Sequence, residues 1–234
     1  MPYKSNRLLD ALPETTRRPV VAQLKHTELK QHDILCNVRE LVSEVHFPID
    51  SVISLVIPLA TGEAIETAMT GRDGVIGASA ALNGRISLNR AIVQLAGQSL
   101  SCSVDQFKRI INEQPGLRAL IGAHEQALFA QTQQSAACNV SHEVENRLAR
   151  WLLRASDLRG DAEIELTQEY LAEMLGVRRT SVTVVAHKLQ QAGMITYRRG
   201  RIKLDDIAAL RETACECYET VKMNYDAMLH PSNE

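Results

Sequence analysis

A chain of 234 residues with 45% hydrophobic content is long enough for two ordinary domains, each with its own core. The formal net charge of −2 argues against general affinity for polyanions. No apolar run follows a basic start and no stretch approaches the roughly 20 residues that cross a bilayer, so the reading is a cytoplasmic protein with no membrane partner.

From about Leu29 to Leu100 the chain shows short β-rich runs, among them Val52–Ile57, Ala64–Met69 and Ala91–Leu95. Turn signals separate them at Asp50-Ser51, Thr61-Gly62, Gly71-Arg72-Asp73-Gly74, Asn83-Gly84 and Gly97, a spacing that predicts a small antiparallel barrel or jelly roll. Ser103 opens a short helix that ends at Pro115-Gly116. A long helix is then expected from Leu117 to about Val140, roughly 36 Å of it.

Within that helix Leu117, Ile121, His124, Leu128, Gln131, Ser135 and Cys138 follow the 4-3 spacing of a coiled-coil seam. This stripe fits the seam of a parallel homodimer, firm above and weaker toward Cys138, or the face of a helix packed on its own barrel. A polar joint, Asn139 to His142, leads to an amphipathic helix, Val144 to Leu153. The expected organisation is thus a sensor barrel with flanking helices over 1–116, a dimerisation helix and hinge over 117–142, and a C-terminal domain over 143–234, together an α+β fold.

The stretch Leu166 to Thr183 carries the most information. Thr167 can cap a first helix, Glu169 puts negative charge in its first turn, and Leu171, Met174 and Leu175 share one face. Gly176 supplies a tight turn, and Val182, Val185, Ala186 and Leu189 form the buried stripe of a second helix. The other face presents Arg178, Arg179, Thr180, Ser181, Thr183 and Lys188, groups that suit base edges and phosphates. Met194 to Leu204 then alternates around Gly200 as a hairpin with a basic tip, Arg198, Arg199 and Arg201. Leu166 to Leu204 holds seven basic and two acidic residues on a mildly acidic chain, which is the footprint of a double-stranded DNA surface.

The five cysteines, Cys36, Cys102, Cys138, Cys215 and Cys217, are too few and scattered for a disulfide framework and are expected as reduced thiols. Cys215 and Cys217, read as two residues apart on one helix, point to different sides and do not suit one metal. Cys138 on the seam would meet its own copy across a two-fold axis, which offers a redox response there. His142-Glu143 is the only nearby His-carboxylate pair, and no nucleophile, base and orienter set is found, which argues against an enzyme. A repurposed, non-DNA interaction module is the other rival.

Barrel, long helix and winged helix-turn-helix in this order resemble the Crp/Fnr family of bacterial transcription regulators over nearly the whole chain. The motifs that carry the resemblance are Gly71 to Gly77, Arg147 to Leu153 and, most specifically, Leu166 to Thr183. It implies a homodimer whose recognition helices enter successive major grooves of a near-palindromic site, with RNA polymerase as a further partner and a small-molecule effector at the barrel. The effector pocket it implies is formed by Gly77, Ala78, Asn89, Arg90 and Ala91.

The departures from the family pattern are as telling. Cyclic-nucleotide-binding members carry a Gly-Glu pair for the ribose and an Arg-Ser or Arg-Thr pair for the cyclic phosphate, where this chain has Gly77-Ala78 and Asn89-Arg90. Each lost partner would cost about 1–3 kcal/mol or more, which disfavours cyclic AMP. An iron–sulfur cluster needs an N-terminal cysteine cluster that is missing, and His26, His32, His46 and His124 show no haem-ligand spacing, so no cofactor and no metal are expected. The recognition helix lacks the family's glutamate: Arg179, Thr180 and Val184 stand at the matching places. Arg179 is therefore expected on guanine, Arg178 on phosphate, and Thr180 and Thr183 near bases.

Overall fold

The computed structural model describes residues 5–60, 62–82 and 84–230, so Thr61 and Asn83 of the predicted turns lie outside the described residues. Helices α1 (Arg7–Asp10) and α2 (Glu14–Val21) precede strands β1 (Lys25–Leu29), β2 (Ile34–Cys36), β3 (Glu44–Pro48), β4 (Val52–Pro58) and β5 (Ala64–Thr70). Helix α3 (Ala78–Leu82) and strands β6 (Arg90–Leu95) and β7 (Gly97–Ser103) complete two antiparallel sheets, ordered β1-β7-β3 and β2-β6-β4-β5. Val45, Phe47 and Leu100 from one sheet meet Ile53, Leu55 and Val93 from the other in a common core. The predicted barrel or jelly roll is thus two facing sheets; it starts earlier than the hydrophobic runs because β1 is largely exposed, and it ends with β7 at Ser103.

Ser103 accepts a hydrogen bond from the Gln106 N–H at 3.3 Å and starts α4 (Val104–Glu113), whose Phe107, Ile110 and Ile111 close the core. Pro115 begins α5 (Pro115–Ser141), a position where the missing N–H costs nothing. The C-terminal domain follows as α6 (Val144–Arg159), β8 (Glu163–Glu165), α7 (Gln168–Leu175), α8 (Arg179–Gln191), β9 (Ile195–Arg198), β10 (Arg201–Leu204), α9 (Ile207–Thr213) and α10 (Cys217–Leu229). A second core joins Trp151, Leu152, Leu171 and Leu189 of this domain to Val52, Val56, Ala64 and Met69 on the outer face of the β4-β5 sheet. No helix among the described residues is long and apolar enough to cross a membrane.

The long helix corrects the predicted dimer seam. Leu117 and Ile121 belong to the N-terminal core, and His124 is fully buried beneath the Gly74-Val75 turn, where its Nε2 accepts from the Val75 N–H at 3.4 Å. Gln131 donates to the Met69 carbonyl at 3.2 Å and accepts from the Tyr225 hydroxyl of α10 at 2.9 Å. Ser135 and Cys138 are buried as well, and only Leu128 is half-buried. Periodicity marked the face that is covered, and the cover is this chain's own sheet and α10. The exposed face carries a 4-3 stripe of its own: Ala119, Gly122, Gln126, Phe129, Gln133, Ala136 and Val140.

The cysteine reading is corrected too. The chain leaves the helix after Thr213, Ala214 is extended (ψ 149°), and Cys217 is the first residue of a new helix, so Cys215 and Cys217 do not share helical geometry. Both pack with Cys138, which therefore faces its own chain and not a symmetry copy.

Candidate nucleic-acid interface

The Thr167 hydroxyl accepts from the Tyr170 N–H at 3.4 Å and caps α7, as expected. The helix stops at Gly176 (φ +61°), in the left-handed region that a side chain rarely adopts, and the chain turns directly into α8. Val182, Ala186 and Leu189 bury one face of α8, while Val185 is half-buried. Gln168 of α7 accepts from the Thr183 hydroxyl at 2.7 Å and fixes the angle between the two helices from their outer side.

The outward face of α8 holds Arg179, Thr180, Thr183, Val184, His187 and Lys188, with Arg178 at its N-cap and Ser181 half-buried. Lys188 pairs with Glu145 of α6, Arg201 with Glu165 at 2.8 Å and Lys203 with Asp205 at 3.2 Å. Arg178, Arg179, Arg198 and Arg199 take no part in an ion pair among the described residues. Arg178 and Arg179 stand exposed at the α8 N-terminus, and Arg198 and Arg199 are exposed at the tip of the following hairpin. His187 was not singled out in the sequence, although its spacing from Thr180 and Thr183 places it on the same face.

The hairpin is present as β9 and β10, with Arg199 (φ +52°) and Gly200 (φ +77°) as its two left-handed turn residues. Strand β8 adds to β10 and makes a three-stranded wing. The Tyr197 hydroxyl donates to the Leu166 carbonyl at 2.9 Å and ties the wing to the start of α7. The base of the wing and the start of α7 approach the β1–β2 loop: the His32 ring stacks on Tyr170 at 4.1 Å, and Gln31 donates to the Glu165 carbonyl at 2.9 Å.

The Gly71 to Gly77 motif meets α6 just past the Arg147 to Leu153 motif, at the domain junction. Gly71 lets the β5 turn touch α6, since a Cβ there would lie 2.7 Å from Leu158 Cβ. Asp73 in the same turn pairs with Arg154 at 2.7 Å, both nearly fully buried, and the Arg154 guanidinium lies 4.5 Å from the Tyr225 ring centre. Next to it, Glu66 of β5 accepts from the Trp151 indole N–H at 3.0 Å and from the Ser54 hydroxyl. Burial pushes the Glu66 carboxyl up to about 7 against the opposing pull of those hydrogen bonds and of Arg150 and Arg154.

In the N-terminal domain a cavity of about 420 Å³ lies between Val42, Leu55, Ile76, Leu88, Asn89 and Leu128. Of the residues named for an effector pocket, Gly77, Asn89 and Ala91 line this cavity, whereas Ala78 and Arg90 do not. Ala78 is fully buried at the start of α3, and Arg90 donates from Nε to the Asn37 amide oxygen at 2.8 Å. No cationic side chain lines the cavity among the described residues, and Glu125 of α5 does.

Residues 146–213 match the family model of the Crp-like helix-turn-helix domain. The chain carries a Crp-like helix-turn-helix domain on a Crp/Fnr-type fold. FixK2 from Bradyrhizobium japonicum superposes with a TM-score of 0.68 at 12% identity, covering 82% of this chain and 98% of that one. TTHB099, a CRP-family transcriptional regulator from Thermus thermophilus, gives 0.67 at 18% identity over 80% and 96%. CLP of Xanthomonas campestris, described as a c-di-GMP responsive global regulator, gives 0.65 at 14% identity over 82% and 99%. No curated protein matches the chain.

Proposed function

We propose that this protein is a homodimeric transcription regulator that reads a near-palindromic DNA site with α8 and grips the flanking phosphates with the wing. The observation that carries this reading is the outward array of Arg178, Arg179, Thr180 and Thr183 on a helix whose other face is locked into the domain core. In this reading Arg179 faces a guanine, Arg178, Arg198 and Arg199 face phosphates, and Val184 takes a thymine methyl.

The dimer forms through the exposed stripe of α5, with Phe129 (63% exposed) and Val140 (89%) as its large apolar members and Ala119, Gly122 and Ala136 allowing close approach. The effector is neutral or weakly polar and enters the cavity lined by Leu128 and Glu125, so its binding is felt directly by α5. A cyclic phosphate is disfavoured there by the Glu125 carboxylate and by Arg90 being engaged with Asn37.

Selection of binding sites from a pool of random duplexes tests the reading. Enrichment of a two-fold symmetric sequence, bound with steep salt dependence, is the expected result. Recovery of no common sequence, or of an asymmetric one bound by a monomer, would refute it.

A further inference from the structure

Two breaks in helical structure meet at the junction between α5 and the C-terminal domain. Helix α5 ends at Ser141, one turn after Cys138, with His142 as its extended cap, while the link between α9 and α10 turns at Ala214 and restarts at Cys217. Cys138, His142, Cys215 and Cys217 converge there, and their sulfur and ring nitrogen atoms all lie within 4.8 Å of one another. The sulfurs of Cys138 and Cys215 are 3.5 Å apart, and Cys217 Sγ lies 3.6 Å from His142 Nδ1.

These are edge lengths of a small tetrahedron. Around a zinc ion, sulfurs at about 2.3 Å and a nitrogen at about 2.0 Å stand roughly 3.5–3.8 Å from each other. We propose that Cys138, His142, Cys215 and Cys217 form a Cys3His site for a thiolate-preferring divalent cation, zinc by its chemistry.

The surroundings fit this role. His142 Nε2 lies 3.2 Å from a Glu216 carboxylate oxygen, so the proton sits on Nε2 and the Nδ1 lone pair is turned to the sulfurs, the arrangement in which an outer carboxylate orients a ligating histidine. Gln134 of α5 donates to Cys217 Sγ at 3.0 Å, which helps to hold a thiolate. The three cysteines are buried, and the half-buried His142 ring is the side from which an ion enters.

Binding replaces three thiol protons, which leave to solvent, and the dication with three thiolates carries one net negative charge. Arg147 and Arg150 of α6 lie within electrostatic reach of the thiols and offset it. The sulfurs are too close together to bracket a multi-iron cluster. An occupied site would pin the end of the long helix to the α9–α10 link and stiffen the hinge. It stands apart from the DNA-reading face and does not depend on it.

Zinc content of the purified full chain, followed by cobalt substitution, tests the proposal. About one zinc per chain is expected, and cobalt should give a thiolate charge-transfer band with the intense visible bands of a tetrahedral ion. Cys217→Ser should abolish these bands while Cys36→Ser and Cys102→Ser leave them unchanged. Circular dichroism confirms that each variant is folded, and His142→Cys should retain binding with a stronger charge-transfer band even if serine variants fail to fold. A folded, reduced wild-type chain that takes up no cobalt, bands that survive in Cys217→Ser, or a Cys138–Cys215 disulfide in the native protein would each overturn it.

Discussion

Two helices of the C-terminal domain, α6 and α8, hold arginines whose surroundings give them opposite roles. Arg147, Arg150 and Arg154 of α6 face inward: Arg154 is buried against Asp73 and the Tyr225 ring, and Arg147 donates to the Leu175 carbonyl. Arg178 and Arg179 at the start of α8 face solvent with no carboxylate partner among the described residues. Charge that is buried and paired holds the two domains together, and charge left free is available for a polyanion. Counting basic residues along the sequence cannot tell these cases apart, because what separates them is the packing of the β5 turn, α7 and α10 over α6, which leaves the outward face of α8 bare.

Breaking the buried set should have the largest effect. Arg154→Ala leaves Asp73 as an uncompensated buried charge and should lower unfolding stability by about 3–5 kcal/mol in urea titrations. Combining Arg154→Met with Asp73→Leu should recover much of that loss. An Arg154→Ala chain as stable as wild type would mean that the pair is not what holds the junction.

The neighbouring Glu66 gives a sharper test with a definite sign. Its carboxyl titrates near 7 in the folded chain and near 4.5 in the unfolded one, so the native state binds the extra proton between those values. Stability should therefore fall by about 3 kcal/mol as pH rises from 4.5 to 7 and change little from this group above that range. Glu66→Gln keeps an acceptor for Trp151 and should flatten this slope. A slope unchanged in the variant would assign the pH dependence elsewhere.

Changes on the free set should leave stability alone and act on DNA. Arg179→Ala is expected to cost about 1–3 kcal/mol in affinity for the selected duplex and to relax the preference at one base pair. Arg199→Ala should have the smaller effect, weakening all sequences alike and reducing the salt slope by about 1. Equal loss of selectivity in both variants would contradict the division between base and phosphate contacts.

What the sequence made legible follows the range of the interactions. The Thr167 cap, the Gly176 turn and the Val182, Ala186 and Leu189 stripe are local, and each stands where the pattern predicted it. The faces of α5 were half legible. The 4-3 spacing of Leu117 to Cys138 identified a buried stripe, but α10, some ninety residues further along the chain, is what covers much of it. Cys215 and Cys217 were misplaced because one extended residue, Ala214, interrupts the helix that their spacing was measured on. Cys138 and His142 were not read together in the sequence, because the α9–α10 link that completes their cluster lies more than seventy residues further along the chain.

Footprinting of the full chain on its selected duplex tests the central claim most directly. The account predicts two protected major-groove segments whose centres lie about 34 Å apart on one face of the DNA, reduced to weak single-segment protection by Phe129→Asp on the exposed face of α5. Uniform protection without two-fold symmetry, or full two-segment protection by a chain lacking both Arg178 and Arg179, would contradict it.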